Sequence, residues 1–294
     1  MFFSGKRFIL HSKTGRLAAQ LLAVVAVVFS LSGCDADYKA EPDPGLVVEG
    51  WIAQDDFPVV ILTRTLAISD QYQPMDSLSK YVVKWAKVTV SDGEQSVVLT
   101  GKYTNGYLPP YIYTTGRMKG RVGKTYTLTV ECDGKTATAT TTIPPATPIR
   151  GVRKTPVEGR PDRYRLSIAI DPPADKEACY QLFVRSGEDS RQYMASYMGS
   201  FKASQIQADS WVMVYRDHPM GENEYEPSFL ATEPVAVKLA RVDQVAYQFW
   251  DDYSKHLSLS SIHFFASYSN IRSNVRGATG CWYGMGQDVR YLLP

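Results

Sequence analysis

The chain has 294 residues, 44% of them hydrophobic and 21% charged, with a formal net charge of +2. No run of Lys or Arg stands out, which argues against nucleic acid as a partner. The length suits one large domain or two modest ones, and nineteen Tyr with five Trp favour β-structure and half-wet surfaces.

The first sixteen residues carry Lys6, Arg7, Lys13 and Arg16 and no acid, and "LAAQLLAVVAVVFS" (17–30) is almost wholly apolar. A basic segment followed by a short apolar one is the layout of a secretory signal. The apolar stretch falls short of the ~30 Å hydrocarbon core, which disfavours a permanent span. It ends in Leu31-Ser32-Gly33-Cys34, which resembles the lipobox of bacterial lipoproteins. That resemblance implies cleavage before Cys34 and acylation of its sulfur. Residues 1–33 are then a signal peptide and 34–45, polar and rich in Pro, a flexible tether. Removing its four basic residues from 32, against 30 acidic, leaves the mature chain near −2.

The mature chain is expected to be built of strands. "LVVEGWIA" (46–53) and "PVVILTRT" (58–65) are short apolar runs. Residues 86–101 alternate around Asp92-Gly93, and 124–143 alternate around Asp133-Gly134, so each forms a hairpin with a tight turn. Tyr126, just after Gly123, stands where a Greek-key sandwich often places its corner tyrosine. Three prolines in "IPPATP" (143–148) cannot continue a ladder, which predicts a domain boundary there. Strands resume at 163–170, 179–186, 210–216 and 234–241. Val242, Val245, Ala246, Phe249 and Tyr253 then recur at helical spacing after the cap residue Asp243, which predicts a helix near 243–256. The tail, 262–294, is expected as short apolar runs broken by Gly. The fold expected is all-β: two tandem antiparallel immunoglobulin-like β-sandwiches, 46–145 and 146–294, with one short helix in the second.

"LVVEGWIAQDDFPVVILTRT", "AKVTVSDG", "GKTYTLTVECDGKTATATTTIPP", "DPPADKEACYQLFV" and "NVRGATGCW" follow one another in that order. In this the chain resembles the Bacteroidota lipoprotein family filed as domain of unknown function 4249, over about residues 40–290. The resemblance implies an outer-membrane lipoprotein, often encoded near TonB-dependent transporters, with no assigned catalytic residues. In the end motif, Ala278 stands where that family has a second Gly, so a turn needing positive φ there would have to differ.

Three cysteines remain beyond Cys34. Cys132 shares a strand face with Tyr126, Leu128 and Val130 and is expected as a buried free thiol. Cys179 and Cys281 each replace another residue of the family pattern, and an oxidising compartment makes a Cys179–Cys281 disulfide a candidate. Against it, Cys179 alternates in phase with Gln181 and Arg185. Trp250, Trp282 and Tyr283 are candidates for an exposed aromatic binding platform. "RDHPMGENEYEP" (216–227) gathers acids around His218, but at no spacing of a known calcium loop. No catalytic, metal or cofactor motif is present, and none is assigned. The function expected is a lipid-anchored, non-enzymatic binding or accessory protein, held to the membrane by its lipid and associated with an outer-membrane transporter. The alternatives are an envelope hydrolase acting on glycan or peptide, and an adhesin or fimbria-like subunit.

Overall fold

Alternating strands here need a second layer on each apolar face, and the chain supplies it by folding one long sheet against two short ones. A computed structural model describes residues 45–65, 79–107, 109–171, 174–187, 193–216, 219–220, 224–225, 227–260 and 272–294. The expected signal peptide, Cys34, all but the last residue of the expected tether, and half of the 216–227 loop lie outside the described residues. The strands are β1 (Leu46–Ala53), β2 (Val59–Arg64), β3 (Lys87–Ser91), β4 (Ser96–Val98), β5 (Thr100–Tyr103), β6 (Tyr111–Thr114), β7 (Thr125–Cys132), β8 (Lys135–Thr142) and β9 (Ile149–Val157). They continue as β10 (Arg160–Ile170), β11 (Cys179–Ser186), β12 (Met194–Lys202), β13 (Val212–Val214), β14 (Pro219–Met220), β15 (Glu224–Tyr225), β16 (Phe229–Leu230), β17 (Val235–Val242) and β18 (Thr279–Leu292). Helix α1 (Gln244–Ser260) lies between the last two strands.

Eight strands form one sheet in the order β12-β11-β17-β18-β1-β2-β6-β5. A four-stranded sheet, β4-β3-β7-β8, covers one half of it, and β9, β10, β13 and β16 cover the other. Each covering sheet encloses a core. The first holds Val48, Val60, Tyr113, Leu128 and Trp282; the second holds Leu166, Tyr180, Leu182, Phe229 and Leu239. Among the described residues the protein is thus all-β with one α-helix, as expected, and each sandwich has its own core. Both Asp-Gly hairpins form, with Gly93 and Gly134 at positive φ. Tyr126 closes a tyrosine corner: its hydroxyl accepts from Arg121 N at 2.9 Å and donates to the Lys119 carbonyl at 3.3 Å. Asp243 caps α1, its Oδ1 accepting from Ala246 N at 2.8 Å.

The division into separate pieces at 145/146 is corrected by β18. Its first half pairs with β1, Val47 to Thr279 through Ala53 to Met285, and its second half pairs with β17, Arg241 to Gly286 through Val235 to Leu292. The same strand therefore places Trp282 in the first core and packs Leu292 against the second. The β1–β18 pair is also parallel, whereas the expectation was antiparallel throughout. Within the expected tail of short runs (262–294), residues 279–292 form one 14-residue strand, and 262–271 lie outside the described residues. Gly280, Gly284 and Gly286 do not break it; they let other backbone come close. A Cβ would run into the Val48 carbonyl at Gly280, the Thr142 carbonyl at Gly284 and the Pro144 carbonyl at Gly286. "IPPATP" is thus laid on β18 rather than hanging free as a hinge, and residues Pro44–Pro294 cluster as one compact unit.

Candidate functional site

Alternation leaves one face of the long sheet outside both cores. Glu49, Trp51 and Ala53 of β1, Tyr283 and Met285 of β18, Lys238 of β17 and Phe183 and Arg185 of β11 all point to it, because their neighbours in sequence point to the cores. Helix α1 covers part of this face through Ala246 and Trp250. What remains is a trough of about 410 Å³.

Its floor is a continuous run of rings. Phe183 meets Trp250 edge-on at 5.3 Å, Trp250 meets Tyr283 edge-on at 5.8 Å, and Tyr283 lies 6.4 Å from Trp51. Trp51 then stacks on Tyr107 at 6.4 Å. One end of the trough is cationic. Lys238 Nζ sits 4.0 Å over the Tyr193 ring, and the Arg185 guanidinium lies 5.0 Å from the same ring and 5.8 Å from that of Tyr291. Lys238 is only 7% exposed. Burial pulls its pKa down to about 8, with Arg185 adding to the shift and Asp56 opposing it. Toward the other end, burial pushes the Glu49 carboxyl up to about 7. Glu49 is level with Cys281 on β18 and Lys238 with Val289. Eight residues of strand put their backbones roughly 26 Å apart along β18, so they do not share a reacting atom as an acid–base pair. Burial likewise raises the Tyr193 and Tyr283 hydroxyls above their ordinary range.

A second depression, of about 680 Å³, opens at the end of the first sandwich beside the exposed Trp85. Its acids are already matched, Glu131 with Lys87 at 2.7 Å and Asp133 with Arg64. The trough, whose charges have no ion-pair partner among the described residues, is the better candidate.

The residues singled out from sequence fall unevenly around it. Trp250 and Tyr283 line the trough, but as enclosed floor rather than an exposed platform. Trp282 faces the opposite way, into the first core, where its Nε1 donates to the Tyr126 carbonyl at 3.1 Å. The Cys179–Cys281 bond is absent: both thiols are free and buried, as is Cys132. Cys179 lies opposite Val242 on β17, with β17 between it and β18, so two strand spacings of ~4.8 Å separate it from Cys281. That exceeds the Cα separation a disulfide tolerates. Cys179 Sγ instead lies 3.3 Å from Gln244 Oε1. Sequence reasoning missed Glu49 and Lys238. The signal was there: each is a single charge inside an otherwise apolar stretch, "LVVEGWIA" and "PVAVKLA".

The end motif proves to be architectural. Asn274 acts as a substitute strand for Trp282, donating Nδ2–H to its carbonyl at 2.7 Å and accepting its N–H at 2.9 Å. Ser273 Oγ accepts from Val275 N and Gly280 N, both at 3.1 Å. Ala278 has no positive φ, whereas Gly277 and Gly280 do, so the turn tolerates the Ala.

A family profile described as domain of unknown function (DUF4249) matches residues 34–290. The chain belongs to this family. No curated protein matches the chain. In this DUF4249 protein, then, the family's end motif fastens β18 between β1 and β8 and takes no part in the trough: Arg276 exchanges backbone hydrogen bonds with Thr138 of β8 at 2.9 and 2.8 Å.

Proposed function

We propose that the protein is a bacterial lipoprotein of the outer membrane, anchored through acylated Cys34, that binds a ligand in the sheet-face trough as an accessory to an outer-membrane transporter. The observation that carries the binding reading is the trough itself: two ionisable groups, the enclosed Lys238 and the half-buried Glu49, on a floor of contiguous aromatic rings. Enclosed charges cost stability, so their presence at a cavity favours a role in recognition. Their separation favours binding over catalysis by this pair. The anchoring reading rests on "LSGC" after a basic and then an apolar segment. Acyl chains on Cys34 would hold the chain firmly where one chain alone would not. Two measurements test the proposal. A fatty-acid analogue fed to cells should label the wild type, and Cys34→Ala should lose both label and membrane retention. Crosslinking in intact membranes should then recover an outer-membrane transporter with the wild type. Retention of an unlabelled Cys34→Ala chain in the membrane would overturn the anchor.

A further inference from the structure

The charges around the trough are unequal in number and in company. Lys102, Arg185 and Lys238 face Glu49 and Asp56 across it. Among the described residues none of the three cations has a carboxylate within ion-pairing distance. Arg185 and Lys238 also stand together. Lys238 pairs with Phe183 and Arg185 with Ala236 on adjacent strands, so the two cations are diagonal neighbours on one face. Both approach the Tyr193 ring, at 5.0 and 4.0 Å. Two like charges converging in an enclosed place repel, and ring faces compensate only part of the lost hydration. The Lys238 ammonium has three donors and, among the described residues, no hydrogen-bond acceptor. Asp56 eases its charge only from beyond ion-pairing distance, and its Oδ1 accepts from Phe57 N at 2.8 Å.

Resting on the reading of the trough as a ligand site, we propose that Lys238 and Arg185 form an anion-recognition end, and that the ligand is an amphiphile with one acidic head and an apolar or aromatic body. The head lies between Lys238 and Arg185, where an acceptor would satisfy the ammonium and relieve the repulsion. The body lies along Phe183, Trp250 and Tyr283 toward Trp51, where the sheet face is apolar and ringed. Glu49 sets the orientation. An acidic head meets a carboxyl at the Glu49 end and two cations at the Lys238 and Arg185 end, so a ligand with one acidic head enters in one direction.

The test uses the full chain carrying Cys34→Ala, so that no acyl chain competes for an apolar site. Calorimetric titration compares 2-naphthylacetate with the neutral 2-naphthylacetamide, which share a body and differ in the head, and adds 2-naphthyl phosphate. The carboxylate is expected to bind at least ~10-fold more tightly than the amide, the scale of one charge-assisted hydrogen bond. Lys238→Met should erase that difference while leaving amide binding, and Lys238→Arg should keep it. If Lys238→Met fails to fold by circular dichroism, Arg185→Gln should reduce the same preference. A phosphate that outbinds the carboxylate identifies a phosphorylated head, and the reverse a carboxylate. Equal binding of acid and amide overturns the anion proposal and leaves the trough as a ligand site. Binding of none of the three overturns both.

Discussion

Lys238 is charged, enclosed and expensive, and its cost depends on pH. Its pKa is about 8 in the fold against 10.5 for a free lysine. The unfolded chain therefore holds that proton more tightly, and the penalty is full below pH 8 and fades as pH rises toward 10.5. Lys238→Met should raise the unfolding free energy by ~1–3 kcal/mol at pH 7, and the gain should shrink at pH 10 in urea titrations. A less stable Lys238→Met protein at pH 7 would contradict the burial. Glu49 runs the other way. With a folded pKa of about 7 against 4.5, it lowers stability progressively as pH rises from 4.5 through 7. Glu49→Gln should abolish that slope and be the more stable form above pH 7, by up to ~3 kcal/mol. The thiols give a third residue-scale outcome. Mass mapping without reductant should find Cys132, Cys179 and Cys281 all alkylatable after denaturation, with no linked peptides.

At the scale of elements, β18 decides the fold. Gly280 has φ +132° and no room for a Cβ beside the Val48 carbonyl. Gly280→Ala should cost ~3 kcal/mol or more, and Trp282→Ala, which empties the first core, ~3–5 kcal/mol; denaturant midpoints check both. The hairpins were legible in the sequence because a turn is written locally: Asp92-Gly93 and Asp133-Gly134 need only their neighbours. So was α1, whose period and cap lie within one stretch. β18 was not legible because its glycines carry two opposite meanings. Read locally, Gly280, Gly284 and Gly286 break a strand; in the fold they let residues 48, 142 and 144 approach it. The trough was half legible. Trp250 and Tyr283 stand out in the sequence as aromatics, but which face each takes depends on pairings between β1, β17 and β18 that no local pattern specifies. Glu49 and Lys238 are visible as charges among apolar neighbours, and only the face of the long sheet opposite both cores explains them.

At the scale of the molecule, the two sandwiches share a layer and should not come apart. Residues 46–145 made alone lack Val275 and Trp282 of their core. That fragment is expected to be insoluble, or unfolded by circular dichroism, and the whole chain should melt in a single transition seen alike by tryptophan fluorescence and far-ultraviolet signal. A soluble, cooperatively folded 46–145 would refute the shared layer. The position of β18 late in the chain also governs the order in which the molecule can be made. Val47 finds its parallel partner only when Thr279 arrives, so the central pairing spans most of the chain and high contact order slows folding. During synthesis, at ~5–20 residues per second, both cores stand open until 279–292 emerge. A chain that cannot close early remains threadable, which is the state that passage across the inner membrane in the proposed export route would require. The same late strand makes chain loss near the C-terminus far more damaging than its few residues suggest, because a stop within it would leave two cores unsealed at once.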